Sequence, residues 1–185
     1  MRKKRFRVDV GLIFYITTMM LFLAGVLLSI YLNPWFSFTK NALSDLGNPK
    51  RTSFYYIFNY TLMVSGTLFT IYMFGFFRKY RPKTALLLGL ASLFLVLVGY
   101  FHEGYKGTHF VVSLLFFFNG ITGLAVYWAE RNSIYGIFGY FVSIAVFGVR
   151  EIYSESLGIA VPESVSGLLF YLIPLIEYLH RFRRH

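Results

Sequence analysis

Six long apolar runs, at residues 10–32, 54–77, 84–101, 109–129, 134–149 and 164–180, take up almost two thirds of the chain. A bilayer core about 30 Å thick needs about 20 helical residues to cross it, and a backbone inside it must satisfy its own hydrogen bonds. The runs therefore predict an all-α, polytopic membrane protein: a six-transmembrane-helix bundle filling residues 1–185 as one domain. Composition points the same way. Hydrophobic residues make up 57% and charged residues only 14%, against about 25% charged in an ordinary soluble domain, which rules out a soluble globule of this size. The absence of cysteine removes disulfides, thiol nucleophiles and cysteine-ligated zinc or iron–sulfur clusters.

The formal charge of +10 is mostly a statement of topology. Arg2, Lys3, Lys4, Arg5, Arg7, Arg78, Lys79, Arg81, Lys83, Arg131, Arg181, Arg183 and Arg184 fall on one side of the predicted spans. Only Lys40, Lys50, Arg51, Lys106 and Arg150 fall on the other. The positive-inside bias then puts both termini in the cytoplasm and the segments 33–53, 102–108 and 150–163 outside, as expected for a multi-pass protein of the cell membrane. The basic start leads into a run too long for a signal peptide and lacking an A-x-A-like site, so it reads as an uncleaved first helix. Because the bases are scattered over both ends and two short loops, anionic lipid headgroups account for them better than nucleic acid does. Small residues at Ala85/Gly89, Gly120, Gly123 and Gly139/Ser143 mark helix-packing faces.

Acids are scarce, and Asp45, Glu103, Glu151, Glu155 and Glu163 gather on the predicted outer side with His102 and His109. In the first outer loop, Thr39 can cap a short amphipathic helix that Gly47 ends in a left-handed conformation and Pro49 cannot continue. Helical spacing would set Asn41, Ser44, Asp45 and Asn48 on one face and Ala42, Leu43 and Leu46 on the opposite one. The turn between the third and fourth spans runs from His102-Glu103 to His109, with Ser113 one helical turn below His109. Asp45, His102 and His109 form a candidate site for a divalent metal such as zinc, although the spacing is not that of H-E-x-x-H. Arg150 and Glu151 end the shortest span, at the depth of lipid phosphates, where Arg150 can grip a phosphate or pair with a neighbouring acid. Glu177 reads as an ion pair with Arg181 one turn on. Asn59 and Asn119 lie inside spans and call for partners on other helices.

With Asn41-Ala-Leu-Ser-Asp-Leu-Gly47 after the first helix and His109 opening the fourth, the chain resembles an uncharacterised six-helix membrane family known only as a domain of unknown function. More distantly it is similar to the group of autophagy modulators and anchor-lipid-remodelling membrane proteins. The resemblance spans nearly the whole chain and implies the six-helix topology. It carries over Asn41, Ser44, Asp45, Gly47 and His109, whereas His102-Glu103 departs from the proline-containing turn expected there.

The leading functional expectation is a polar pocket at the outer leaflet, built from Asn41, Ser44, Asp45, His102, His109 and Arg150, that binds a lipid headgroup or another amphiphile. An enzymatic alternative is a metal-dependent lipid hydrolase or transferase, with Asp45, His102 and His109 on the metal and Glu103 or Glu151 as general base. Asp45, His109 and Glu103 are its catalytic candidates. A Ser44–His109–Asp45 relay is disfavoured because Ser44 and Asp45 are adjacent in sequence. A structural reading makes the chain an assembly subunit that binds a membrane-protein partner or a second copy of itself. An ion pathway is the weakest option, since no span interior carries a charge except Glu177 near its end.

Overall fold

A computed structural model describes residues 9–131 and 159–182. Among them five helices are long and apolar enough to cross a membrane. They are α1 (Val10–Tyr31), α2 (Tyr55–Tyr72), α3 (Pro82–Tyr100), α4 (Gly107–Glu130) and α5 (Ala160–Phe182). The described residues contain no strand, and α5 corresponds to the sixth run of the sequence. The fifth expected span, 134–149, lies outside the described residues, as do Gly139, Ser143, Arg150, Glu151 and Glu155.

Helix ends follow local chemistry more than hydropathy. α3 begins two residues before the apolar run because Pro82 suits the first helical turn, where no amide donor is needed. The carboxylate of Glu130, at the end of α4, accepts from the Lys83 and Thr84 amides at 3.1 Å and from the Thr84 hydroxyl at 2.5 Å. One acid thus caps α3 from the neighbouring helix. α2 continues into a π-helical turn at Met73–Phe77 before the chain reverses.

Among the described helices α3 is central, packed most extensively against α4 and α2, while α1 lies against α2 and α5 against α4. The close approach of α2 and α3 needs glycine. A Cβ on Gly66 would sit 2.8 Å from the Ser92 carbonyl oxygen, and one on Gly99 would sit 2.6 Å from the Asn59 carbonyl oxygen. Gly89 and Gly123 likewise make room for Phe74 and Leu88, the small-residue packing expected where lipid gives helices no hydrophobic reason to associate. The Tyr15 hydroxyl donates to the Tyr171 carbonyl at 2.5 Å, tying α1 to α5.

At the end of the bundle bearing the α2–α3 turn, Glu177 is buried and receives Arg81 Nε at 3.1 Å and the Tyr127 hydroxyl at 3.3 Å. This corrects the pairing expected with Arg181, whose guanidinium instead stacks 3.5 Å from the Tyr80 ring centre. The i+4 spacing put Arg181 within reach of Glu177, but Glu177 faces the bundle and Arg181 the rim. Asn59 does find a partner away from its helix, the Gly47 carbonyl at 3.0 Å, whereas Asn119 donates to Leu115 one turn back in its own helix.

The amphipathic helix expected in the first loop is a five-residue 3-10 turn, Leu43–Gly47. Its two expected faces are not separated by exposure: Asp45 and Leu46 are both buried, because the turn packs against α2 and the start of α5. Its N-cap is Ala42 in place of Thr39, and Gly47 has no positive φ.

Candidate functional site

The N-x-x-S-D-L-G stretch first organises its own loop. Asp45 Oδ2 collects three donors: Asn41 Nδ2 at 3.3 Å, the Ala42 amide at 3.1 Å and Arg51 Nη1 at 3.1 Å. Asn41 Oδ1 in turn accepts from the Ser37 amide at 2.9 Å. Leu46 is fully buried, and Gly47 lies so close to Asn59 and Phe58 that a Cβ there would collide with both. Asn41, Asp45, Leu46 and Gly47 therefore hold the turn together, and Ser44 is left to face a cavity.

The two histidines have different duties. His102 Nδ1 accepts from the Gly104 amide at 3.1 Å, and its ring packs on Tyr55 and Tyr105, so it closes the 3-10 turn Glu103–Tyr105. His109 reaches back to the end of α3, with Nδ1 at 2.8 Å from the Phe101 carbonyl oxygen. A carbonyl only accepts, so Nδ1 carries the proton, and the neutral ring has its lone pair on Nε2. The Ser113 hydroxyl lies 3.4 Å from that nitrogen. Lys106, the residue before α4, has a φ of 42°.

Glu103 is half-buried beside the Asp45–Arg51 pair, and its Oε2 is buried without a donor. Burial, then the charge of Asp45, pushes its carboxyl above the usual range, while Arg51 and Asn48 oppose the shift. Where Glu103 carries a proton it can donate to Asp45 across the two loops.

A cavity of about 780 Å³ opens between α4 and the start of α5. Ser44, Glu103, Lys106, His109, Ser113 and Glu163 line its polar end. Phe110, Leu114, Phe117, Phe118 and Ile121 carry the wall along α4 as an apolar surface. A smaller cavity of about 70 Å³ also touches Ser44, His109, Ser113 and Glu163, and reaches toward Phe58 and Leu95. Glu163 Oε2 accepts from the Leu43 amide at 2.6 Å, and the Ala160 amide donates to the Asn41 carbonyl at 3.0 Å. These bonds hold the loop, α4 and α5 around the same space.

Ser44, His109 and Glu103 thus face the cavity, whereas Asn41, Asp45 and His102 serve the loops around it. Asp45, His102 and His109 are engaged separately, and among the described residues no group of three or more His, Asp or Glu side chains is gathered as metal ligands. Sequence reasoning passed over Lys106 and Glu163 as site residues, and noted Ser113 only by its position below His109. Glu163 had a usable signal, an acid at the start of an apolar span. Its contact with a loop 120 residues earlier had none.

Residues 16–178 match the family model described as a protein of unknown function, DUF998. Comparison with curated proteins returned no match, and neither did comparison with solved structures.

Proposed function

The chain belongs to the DUF998 family, and we propose that it binds a single-headed or phospholipid-like amphiphile in the α4–α5 cavity. The observation that carries this reading is the cavity's polarity along its length: hydroxyl, imidazole and charged groups at one end, then aromatic and aliphatic walls down a membrane-spanning helix. An amphiphile matches that gradient, because its head finds hydrogen-bond partners while its chain displaces nothing better than lipid. Lys106 supplies a cation for a phosphate, and Glu103 and Glu163 supply acids for an ammonium group. With the basic loops cytoplasmic, the polar end opens at the outer leaflet of the cell membrane.

Extraction in mild detergent followed by native mass spectrometry tests the reading. The wild-type chain should retain a lipid adduct. Ile121→Trp, which fills the apolar end, and Ser44→Trp, which fills the polar end, should each lower its occupancy about tenfold while melting normally. Equal occupancy in all three proteins would refute the proposal.

A further inference from the structure

Ser113 differs from six other hydroxyls of the helices. Thr18, Ser29, Thr61, Ser65, Ser92 and Ser164 each donate to the carbonyl four residues back in their own helix, the usual way a helix absorbs a hydroxyl in an apolar setting. Ser113 has the His109 imidazole as its hydrogen-bond partner instead, at 3.4 Å. That imidazole is held in the tautomer a base requires, since Nδ1–H donates to the Phe101 carbonyl oxygen 2.8 Å away and the Nε2 lone pair is left toward the hydroxyl. The same orienting task falls to a carboxylate in the serine hydrolase triad. Both side chains line the 780 Å³ cavity, so an occupant can reach them.

We infer that Ser113 and His109 form a nucleophile–base pair that transfers or hydrolyses the acyl group of an ester-linked lipid. The inference rests on the amphiphile reading of the cavity. Ser113 is six residues into α4, about 9 Å along the axis at 1.5 Å per residue. Counted from an outer membrane surface at Gly107, that depth lies below a headgroup and near the junction with the hydrocarbon core, where the acyl esters of a glycerolipid lie. An ester carbonyl, and not a phosphoester, is therefore the bond presented to the hydroxyl.

In the first step Ser113 Oγ bonds to the ester carbonyl carbon as its proton passes to His109 Nε2. The ester C–O bond then breaks, the alcohol leaves with that proton, and the acyl group remains on Ser113. Water, or a second alcohol in a transfer reaction, attacks the acyl-enzyme with His109 again taking the proton. The carboxylic acid or new ester departs, and Ser113 recovers its hydrogen. The Ser44 hydroxyl, which lines the same cavity from the first loop, would donate to the carbonyl oxygen.

The full-length protein, reconstituted in phosphatidylcholine vesicles with a labelled acyl chain, is exposed to a long-chain fluorophosphonate and digested for peptide mass spectrometry. The expected results are a covalent adduct on Ser113, release of labelled fatty acid, and loss of both in Ser113→Ala. In His109→Phe labelling should slow about 100-fold, the usual scale of general-base assistance. Copurifying lipid is measured on the wild-type protein in parallel, so failure of the chemistry is distinguishable from failure of binding. If lipid copurifies but Ser113 stays unlabelled and no fatty acid is released, the pair is a structural hydrogen bond and the inference falls. Release that survives Ser113→Ala overturns it too. Ser113→Cys, probed with a maleimide, separates an inert hydroxyl from an inaccessible one, and either result is fatal to the pair.

Discussion

Glu103 and Asp45 sit on different loops, and the raised pKa of Glu103 links their approach to pH. Burial and the Asp45 charge raise the folded-state pKa of Glu103 above its unfolded value. The native state therefore binds that proton more tightly than the unfolded chain does. The stability it contributes is fully present below the ordinary glutamate pKa of about 4.3 and is lost as pH rises through the raised folded value. Glu103→Gln keeps the shape and a donor toward Asp45 without a charge to bury. Thermal melts in detergent should find the variant more stable than wild type at pH 8, with the gap closing as pH falls toward 4. Parallel melting curves across that range would show that the acid pair is not coupled. Arg51 and Asn48, which oppose the shift, are present in both proteins. At this scale the motif was legible as important but not as to which member does what. Asn41, Ser44 and Asp45 are all polar and close in sequence, yet hydrogen bonding turns Asn41 and Asp45 inward to the loop and leaves Ser44 at the cavity.

Helices α3, α4 and α5 are joined by polar groups at the end opposite the cavity. Glu177 is buried on α5, Arg81 precedes α3, and Tyr127 on α4 donates to the same carboxylate oxygen as Arg81. Arg81 also reaches the Glu130 carbonyl at 2.8 Å, and Arg131 donates to the Tyr127 hydroxyl at 2.9 Å. Removing one member of such a cluster leaves an uncompensated charge away from water, whereas replacing both by apolar groups removes the desolvation cost as well. Glu177→Leu alone should cost about 3–5 kcal/mol. Adding Arg81→Met to it should recover most of the loss in a denaturation cycle. Additive losses would place the two groups outside a shared network. Helix existence was plain from hydropathy, because each of the five described spans overlaps an apolar run. Helix ends were less plain. Glu130 as the cap of α3 depends on two helices lying side by side, and no local pattern in 80–84 names an acid 46 residues away.

Across the described molecule, the first loop, α4 and the start of α5 surround one space, and the Glu163–Leu43 bond links segments 120 residues apart. Glu163→Gln retains an acceptor for the Leu43 amide and should melt within about 0.5 kcal/mol of wild type. Glu163→Ala leaves that amide without its carboxylate partner and should cost about 1–3 kcal/mol. The alanine variant should also expose the loop to amide hydrogen exchange. Slow exchange at Leu43 in Glu163→Ala would show that the bond does not fasten the loop. The sequence by itself determined that the protein lives in a membrane as a set of helices, because apolar length and backbone self-sufficiency are properties of a segment alone. Only the tertiary structure decided which rare polar groups meet. Asp45, His102 and His109 are close in predicted depth but turn to different partners, while Ser44, Ser113 and Glu163 converge from three elements. Depth in the bilayer follows from position along a helix, but a meeting in space depends on how each helix is rotated and which neighbour it packs against.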